Sequence, residues 1–172
     1  MATTYTLISS VTVGSGGAAN IEFTSIPATY TDLCIKFSGR GTTGSTTTSW
    51  LMRLNSSGTS YSSKRLYGSG TAAASDSATS GGIYLVISTM PASTGTASTF
   101  GNTDIYIPNY AGSSNKSVSI DDVQENNTTQ AYAELAASLW SNTSAITSLS
   151  IFPDTGNFAQ YSTAYLYGIS NA

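Results

Sequence analysis

Hydrophobic and polar positions alternate with a period of two along most of this chain, the spacing of half-buried β-strands. The alternation is clearest in Asp32 to Gly39. Leu33, Ile35 and Phe37 point one way, and Cys34, Lys36 and Ser38 point the other. Ser49 to Asn55 repeats it with Trp50, Met52 and Leu54, Asn20 to Ser25 with Ile21 and Phe23, and Asn115 to Val123 with Val118 and Ile120. Tyr5 to Val13 sets Tyr5, Leu7, Val11 and Val13 against Thr6, Ser10 and Thr12. Ser60 to Tyr67 and Phe100 to Ile107 also read as strands. In Ile83 to Ser88 both faces are apolar, since Ile83, Leu85 and Ile87 alternate with Tyr84 and Val86. That pattern belongs to a central strand or to one at a subunit contact.

Near the C-terminus, Ile146 to Ile169 holds two β-rich runs around Asp154, Gly156 and Asn157. Leu149 and Ile151 share a face of the first run; Thr163, Tyr165, Tyr167 and Ile169 share a face of the second. Gly156 can take positive φ, so the spacing predicts a β-hairpin. Ala131 to Trp140 is the ambiguous stretch. Its alanines and leucines favour helix by propensity. Its alternation (Ala133, Leu135, Ala137, Leu139) and the strand spacing around it favour a strand, which is the reading adopted.

Between these runs lie polar loops at Gly39 to Thr48 and Met90 to Ser98. The segment Gly68 to Gly82, GSGTAAASDSATSGG, has almost nothing to bury and predicts a mobile surface loop. About ten strands at even spacing, with no helical period between them, predict an all-β chain. The expected fold is a single-domain antiparallel β-sandwich, jelly-roll-like, over residues 1–172.

Composition narrows the function. Of the 172 residues about a third are Ser or Thr, and only 9% are charged, against about 25% in ordinary soluble domains. Hydroxyls and amides rather than charges keep such a surface wet. The net charge of −3 comes with no basic stripe, which argues against nucleic acid as a partner. The start, MATTYTLISSVTV, has no basic region and no long apolar core, and no later run is long enough to span a bilayer. Synthesis in a cytosol without a secretion route is expected, and a membrane partner is not.

Catalytic constellations are scarce. There is no histidine, so neither a Ser-His-Asp nor a Cys-His arrangement can form, and the one cysteine, Cys34, cannot build a disulfide framework or a thiolate metal site. Lys36, two residues on, could lower the Cys34 thiol pKa; the plainer reading is an incidental residue on a sheet surface. Two carboxylates suffice for a glycosidase, and the candidates are Glu22, Asp32, Asp104, Asp121, Asp122, Glu125 and Glu134. No pair among them is framed by aromatics as a sugar cleft would be. The residues 121–127, DDVQENN, could supply oxygens to Ca²⁺ or form an ordinary turn. The expectation is no enzyme, no cofactor and no metal. The Asn-X-Ser/Thr sequons at Asn55, Asn115, Asn126, Asn127 and Asn142 are what a Ser/Thr-rich chain produces by chance.

The eleven tyrosines carry more information. A large apolar body with a polar tip suits half-wet contacts as well as sandwich edges. Tyr84, Val86, Tyr106 and Tyr110 are the candidate contact residues.

The stretches TLISSVTVGSGGAANIEFTSIPATYTDLCIKFSGR, KRLYGSG, DIYIPNYAGSSNKS and SLWSNTSAITSLSIFPDTGNFAQYSTAYLYGIS resemble small virion proteins of tailed bacteriophages, especially marine phages and cyanophages. The resemblance spans nearly the whole chain and contains no catalytic motif. It implies a structural virion protein: a capsid decoration (cement) protein bound to the major capsid protein, commonly a homotrimer, assembled in the host cytoplasm. The alternative it allows is a receptor- or carbohydrate-binding module of a tail or head fibre, with a host surface glycan as ligand.

Overall fold

A computed structural model of the chain describes residues 4–79, 81–84, 90–127 and 131–170. Among these residues there is no helix, and the strands number fourteen: β1 Tyr5–Thr12, β2 Ile21–Phe23, β3 Asp32–Gly39, β4 Thr47–Thr48, β5 Trp50–Leu54, β6 Tyr61–Ser69, β7 Ala72–Ala78, β8 Ile83–Tyr84, β9 Met90–Pro91, β10 Gly101–Ile107, β11 Lys116–Gln124, β12 Tyr132–Trp140, β13 Leu149–Pro153 and β14 Thr163–Ile169. All their pairings are antiparallel.

The layers are unequal. A large sheet of eight strands runs β1-β14-β3-β10-β11-β12-β6-β7, and a small sheet of four runs β2-β13-β5-β8. The excess over the expected ten comes largely from two-residue strands such as β4 and β9, too short to show a period. The core lies between the sheets. Leu33, Ile35 and Phe37 from β3 meet Trp50 and Met52 from β5, all at 1% exposure or less. The Phe37 ring stands edge-on to Trp50 at 5.7 Å and to Phe158 at 5.5 Å.

The expected hairpin over Ile146 to Ile169 is instead an arch. β13 lies in the small sheet and β14 in the large one. The connection carries fully buried Phe158, whose backbone bridges to Ala18 and Gly41. An aromatic in mid-connection pulls that segment across the core, so the turn at Gly156 (φ 75°) reverses the chain between layers rather than within one. Gly168 in β14 has a different reason. A Cβ there would lie 2.3 Å from the Tyr30 ring, which packs flat against the bare backbone.

The segment 68–82 is also corrected. It is not a mobile loop: β7 pairs with β6 over seven residues, Ser63 to Ser69 against Ala78 to Ala72. The reversal uses two residues, with Gly70 at φ 56°. Strand pairing needs backbone hydrogen bonds rather than apolar side chains, so an Ala/Ser stretch can join a sheet while burying little. Asp76 supplies the one strong side-chain tie, accepting from Arg65 Nε at 2.7 Å.

The two polar loops are ordered against each other. Thr47 and Thr48 pair with Pro91 and Met90. Arg40 donates through Nη2 to the carbonyls of Ala92 at 2.8 Å and Gly95 at 3.1 Å, and through Nη1 to those of Thr96 at 2.7 Å and Thr99 at 2.9 Å. One guanidinium thereby satisfies four loop carbonyls.

Candidate functional site

The small sheet covers one face of the large sheet and leaves the other open. Strand registers place the open face in rows. One row runs Tyr165, Lys36, Asp104, Asp121, Leu135, Leu66 across six adjacent strands. The next runs Tyr167, Cys34, Tyr106, Ser119, Ala137, Lys64.

Apolar groups stand out of this face. Leu66 is 58% exposed, Leu135 57%, Tyr5 54% and Leu7 51%. Val123, Tyr106 and Tyr165 are exposed as well. Tyr5 and Leu7 reach it through a β-bulge. The register against β14 shifts between Leu7 and Ser9, so Ile8 is the extra residue. The bulge splits the face expected for this strand: Tyr5 and Leu7 turn outward while Ile8 and Val11 pack on the core. Tyr5 then meets Tyr167 edge-on at 6.4 Å.

At the centre of the face Lys36 Nζ donates to Asp104 Oδ2 at 2.5 Å. Both side chains are half exposed, so the pair is worth at most about 1 kcal/mol. That hydrogen bond raises the Lys36 pKa. Tyr106 donates to Asp32 Oδ2 at 2.7 Å, and the Asn109 N–H donates to Asp32 Oδ1 at 2.8 Å. The bond to Asp32 raises the Tyr106 pKa and holds the ring in place on the face. Cys34 lies between Tyr167 and Tyr106 and is nearly covered, and burial pushes its thiol pKa up.

Behind β11, β12 and β6 the inward face is mixed, with polar groups beside the core residues Tyr61, Val118, Ile120, Ala136 and Trp140. Arg65, Asp122, Gln124, Glu134, Ser63 and Ser138 are all buried there. Arg65 forks onto Asp76 through Nε and Nη2, and its Nη1 lies 3.6 Å from Glu134 Oε1. Ser63 and Ser138 share a hydrogen bond of 2.8 Å. Asp122 sits opposite Glu134 in the β11–β12 register and accepts from the Thr103 hydroxyl. Burial pushes the Asp122 carboxyl up to about 8, with the Glu134 charge adding to the rise and Thr103 opposing it. Burial pushes Glu134 up to about 7, against the pull of Arg65.

Tyr106 is on the open face. Tyr110 is corrected: it is fully buried and donates its hydroxyl to the Pro27 carbonyl, so it is a core group with no surface to offer. The Tyr84 backbone pairs with Leu51; its side chain and Val86 lie outside the described residues. The carboxylates of 121–127 do not converge. Strand alternation sends Asp121 to the open face and Asp122 inside, while Glu125 accepts from the Asn127 N–H at 2.6 Å in a local turn. Among the described residues no three His, Cys, Asp or Glu side chains gather as a metal site. Of the carboxylates weighed for glycoside cleavage, only Asp122 and Glu134 are cross-strand neighbours on the inward face. The exposed leucines of β6 and β12 escaped the sequence reading because a period of two marks a face without saying which way it points.

No family model matches the chain, and no curated protein does. Among solved structures it is similar to a fructofuranosidase from Schwanniomyces occidentalis complexed with fructose, at 7% identity and a TM-score of 0.27. The match covers 99% of this chain and 35% of that one, so the chain spans about a third of that protein's length.

Proposed function

We propose that this chain is a structural protein of a phage particle, a capsid decoration protein that lays the open face of its large sheet on the major capsid protein. The observation that carries the reading is the outward display of Leu66, Leu135, Leu7 and Tyr5 from a sheet whose inward side holds Arg65, Asp122 and Glu134. Exposed apolar groups grouped on one face mark a contact surface rather than a solvated one. Tyrosine is enriched at protein–protein contacts, and the charges in the middle of the face, Lys36 and Asp104, are already paired with each other.

Size agrees with the reading. Eight strands about 4.8 Å apart, each of roughly seven residues, span about 38 by 24 Å, or about 900 Å². A standard interface takes about 800 Å² from each partner. One copy on one capsid site would hold modestly, and hundreds of copies on a closed shell would hold it against internal pressure.

The test is copy number and site. Gel densitometry of purified particles is expected to find hundreds of copies per particle. A few dozen or fewer would overturn the decoration reading.

One feature favours a second reading, a receptor- or carbohydrate-binding module of a fibre. On the outer side of the small sheet, Ser150 stands in register between Glu22 and Arg53. The Arg53 guanidinium lies 4.9 Å from the Phe152 ring centre and is steadied by an Nε hydrogen bond of 2.9 Å to Gly81 O. A donor fork, a carboxylate and an aromatic in one groove suit a hydroxyl-rich ligand. A glycan-array hit that Arg53→Ala abolishes would support this reading over the first.

A further inference from the structure

The two edges of the large sheet are unlike each other. β1 forms one edge and carries the bulge at Ile8, a device that keeps an edge from pairing further. β7 forms the other edge. Its register against β6 runs unbroken from Ala72 to Ala78, and Ala72, Ala73, Ala74, Ser75 and Ser77 are exposed. It holds no proline, no lysine and no bulge, and its one charge, the inward-pointing Asp76, is already taken up by Arg65 of its own chain. Among the described residues no strand lies beyond it.

We propose that β7 is a pairing edge, and that its occupant is the β7 strand of a second copy of this chain, running antiparallel with Ser75 facing Ser75. The sequence AAASDSA is complementary to itself in that register. Ala72 faces Ala78, Ala73 faces Ser77 and Ala74 faces Asp76. The two Asp76 carboxylates are thereby kept apart, and each keeps its own Arg65 at 2.7 Å. A parallel pairing in register would set Asp76 beside Asp76, a repulsive arrangement. Small side chains leave the backbone unobstructed, and main-chain hydrogen bonds supply the affinity in strand addition.

The contact has a two-fold axis along the sheet normal. Rotation about it keeps both open faces on the same side, so Leu66 and Leu135 of both copies join one continuous surface. The consequence is bivalent docking by the face described above, with the gain in avidity that brings. In the trimer implied by the resemblance, the same contact would join one trimer to the next. The pairing itself does not depend on what the face docks to.

Site-directed cross-linking tests it, in a Cys34→Ser background. Facing Cα atoms in an antiparallel pair are about 4.5–5.5 Å apart, within disulfide reach. Ser75→Cys is expected to give a disulfide-linked dimer as the main product on mild oxidation. Ser77→Cys, displaced from its counterpart by about 13 Å along the strand, is expected to give at least tenfold less. Ser75→Lys places two like charges opposite each other and is expected to abolish pairwise association in light scattering, with an unchanged circular-dichroism spectrum. Equal cross-linking at both positions, or none at Ser75, would overturn the proposal. So would a Ser75→Lys chain that associates as the unmodified one does.

Discussion

The two halves of the large sheet obey the same period and bury different mixtures of side chains. In β3, β10 and β14 the inward row is Leu33, Ile35, Phe37, Ile105, Ile107 and Leu166, and the outward row is largely polar or aromatic. In β12 and β6 the inward row includes Glu134, Ser138, Ser63 and Arg65, and the outward row includes Leu135 and Leu66. The first half is an ordinary core. The second mixes apolar burial (Tyr61, Ala136, Trp140) with buried ionisable groups on its inner side, and accepts their desolvation while keeping leucines in water. Folding alone gives no reason for keeping those leucines in water, and the contact proposed above would supply one.

The largest effect is expected in the ordinary half. Phe37→Ala removes a ring wedged against Trp50 and Phe158 and is expected to destabilise by about 3–5 kcal/mol in urea unfolding. A loss under about 1 kcal/mol would mean this half is not the stabilising core.

In the mixed half, Arg65→Met leaves Glu134 buried without its cation and is expected to lose about 3 kcal/mol. The double variant Arg65→Met with Glu134→Leu is expected to recover the part of that loss that comes from Glu134, while the part from the broken Arg65–Asp76 hydrogen bonds remains. If the double variant is worse than the single, the pair is a net stabiliser and the contrast between the halves is smaller than described.

The buried carboxyls give a pH dependence of defined sign. Asp122 at about 8 and Glu134 at about 7 hold their protons more tightly folded than unfolded. Their contribution is complete below the ordinary carboxylate range, about pH 4, and is lost as pH rises through about 7 and 8. The melting temperature is expected to fall between pH 6 and pH 9, and Asp122→Asn to flatten that fall. A melting temperature that rises over this range, or a slope that Asp122→Asn leaves unchanged, would contradict the burial of these groups.

The smallest effect belongs to the open face. Leu135→Ser removes an exposed group and is expected to change stability by less than about 0.5 kcal/mol. A loss of several kcal/mol would show that Leu135 is covered within a single chain.

Local patterning was legible, and layer assignment was not. β3 could be read directly from DLCIKFSG because Leu, Ile and Phe alternate with smaller or polar residues and a glycine ends the run. β12 was legible as a strand despite its alanines, since its neighbours impose the extended form. Its inward face was not, because Glu134 and Ser138 look like solvent-facing residues until Arg65 and Ser63 appear behind them from β6. β7 was missed because an Ala/Ser edge strand is held by backbone bonds that leave no hydrophobic period. The arch at Phe158 was missed because Gly156 signals a reversal without saying which sheet receives the next strand. Tyr106, a contact candidate from the sequence, stands exposed on the open face. Leu66 and Leu135 were not candidates, and Tyr110 was mistaken for a surface group because its hydroxyl finds Pro27 inside the fold.

Hydroxyl-radical footprinting of the free chain and of the chain on the particle tests the central claim most directly. Oxidation of Tyr5, Leu66, Tyr106, Leu135 and Tyr165 is expected to drop at least several-fold on the particle, with Phe152 on the far side unchanged. Full oxidation of those five residues on the particle, with Phe152 protected instead, would show that the open face of the large sheet is not the contact.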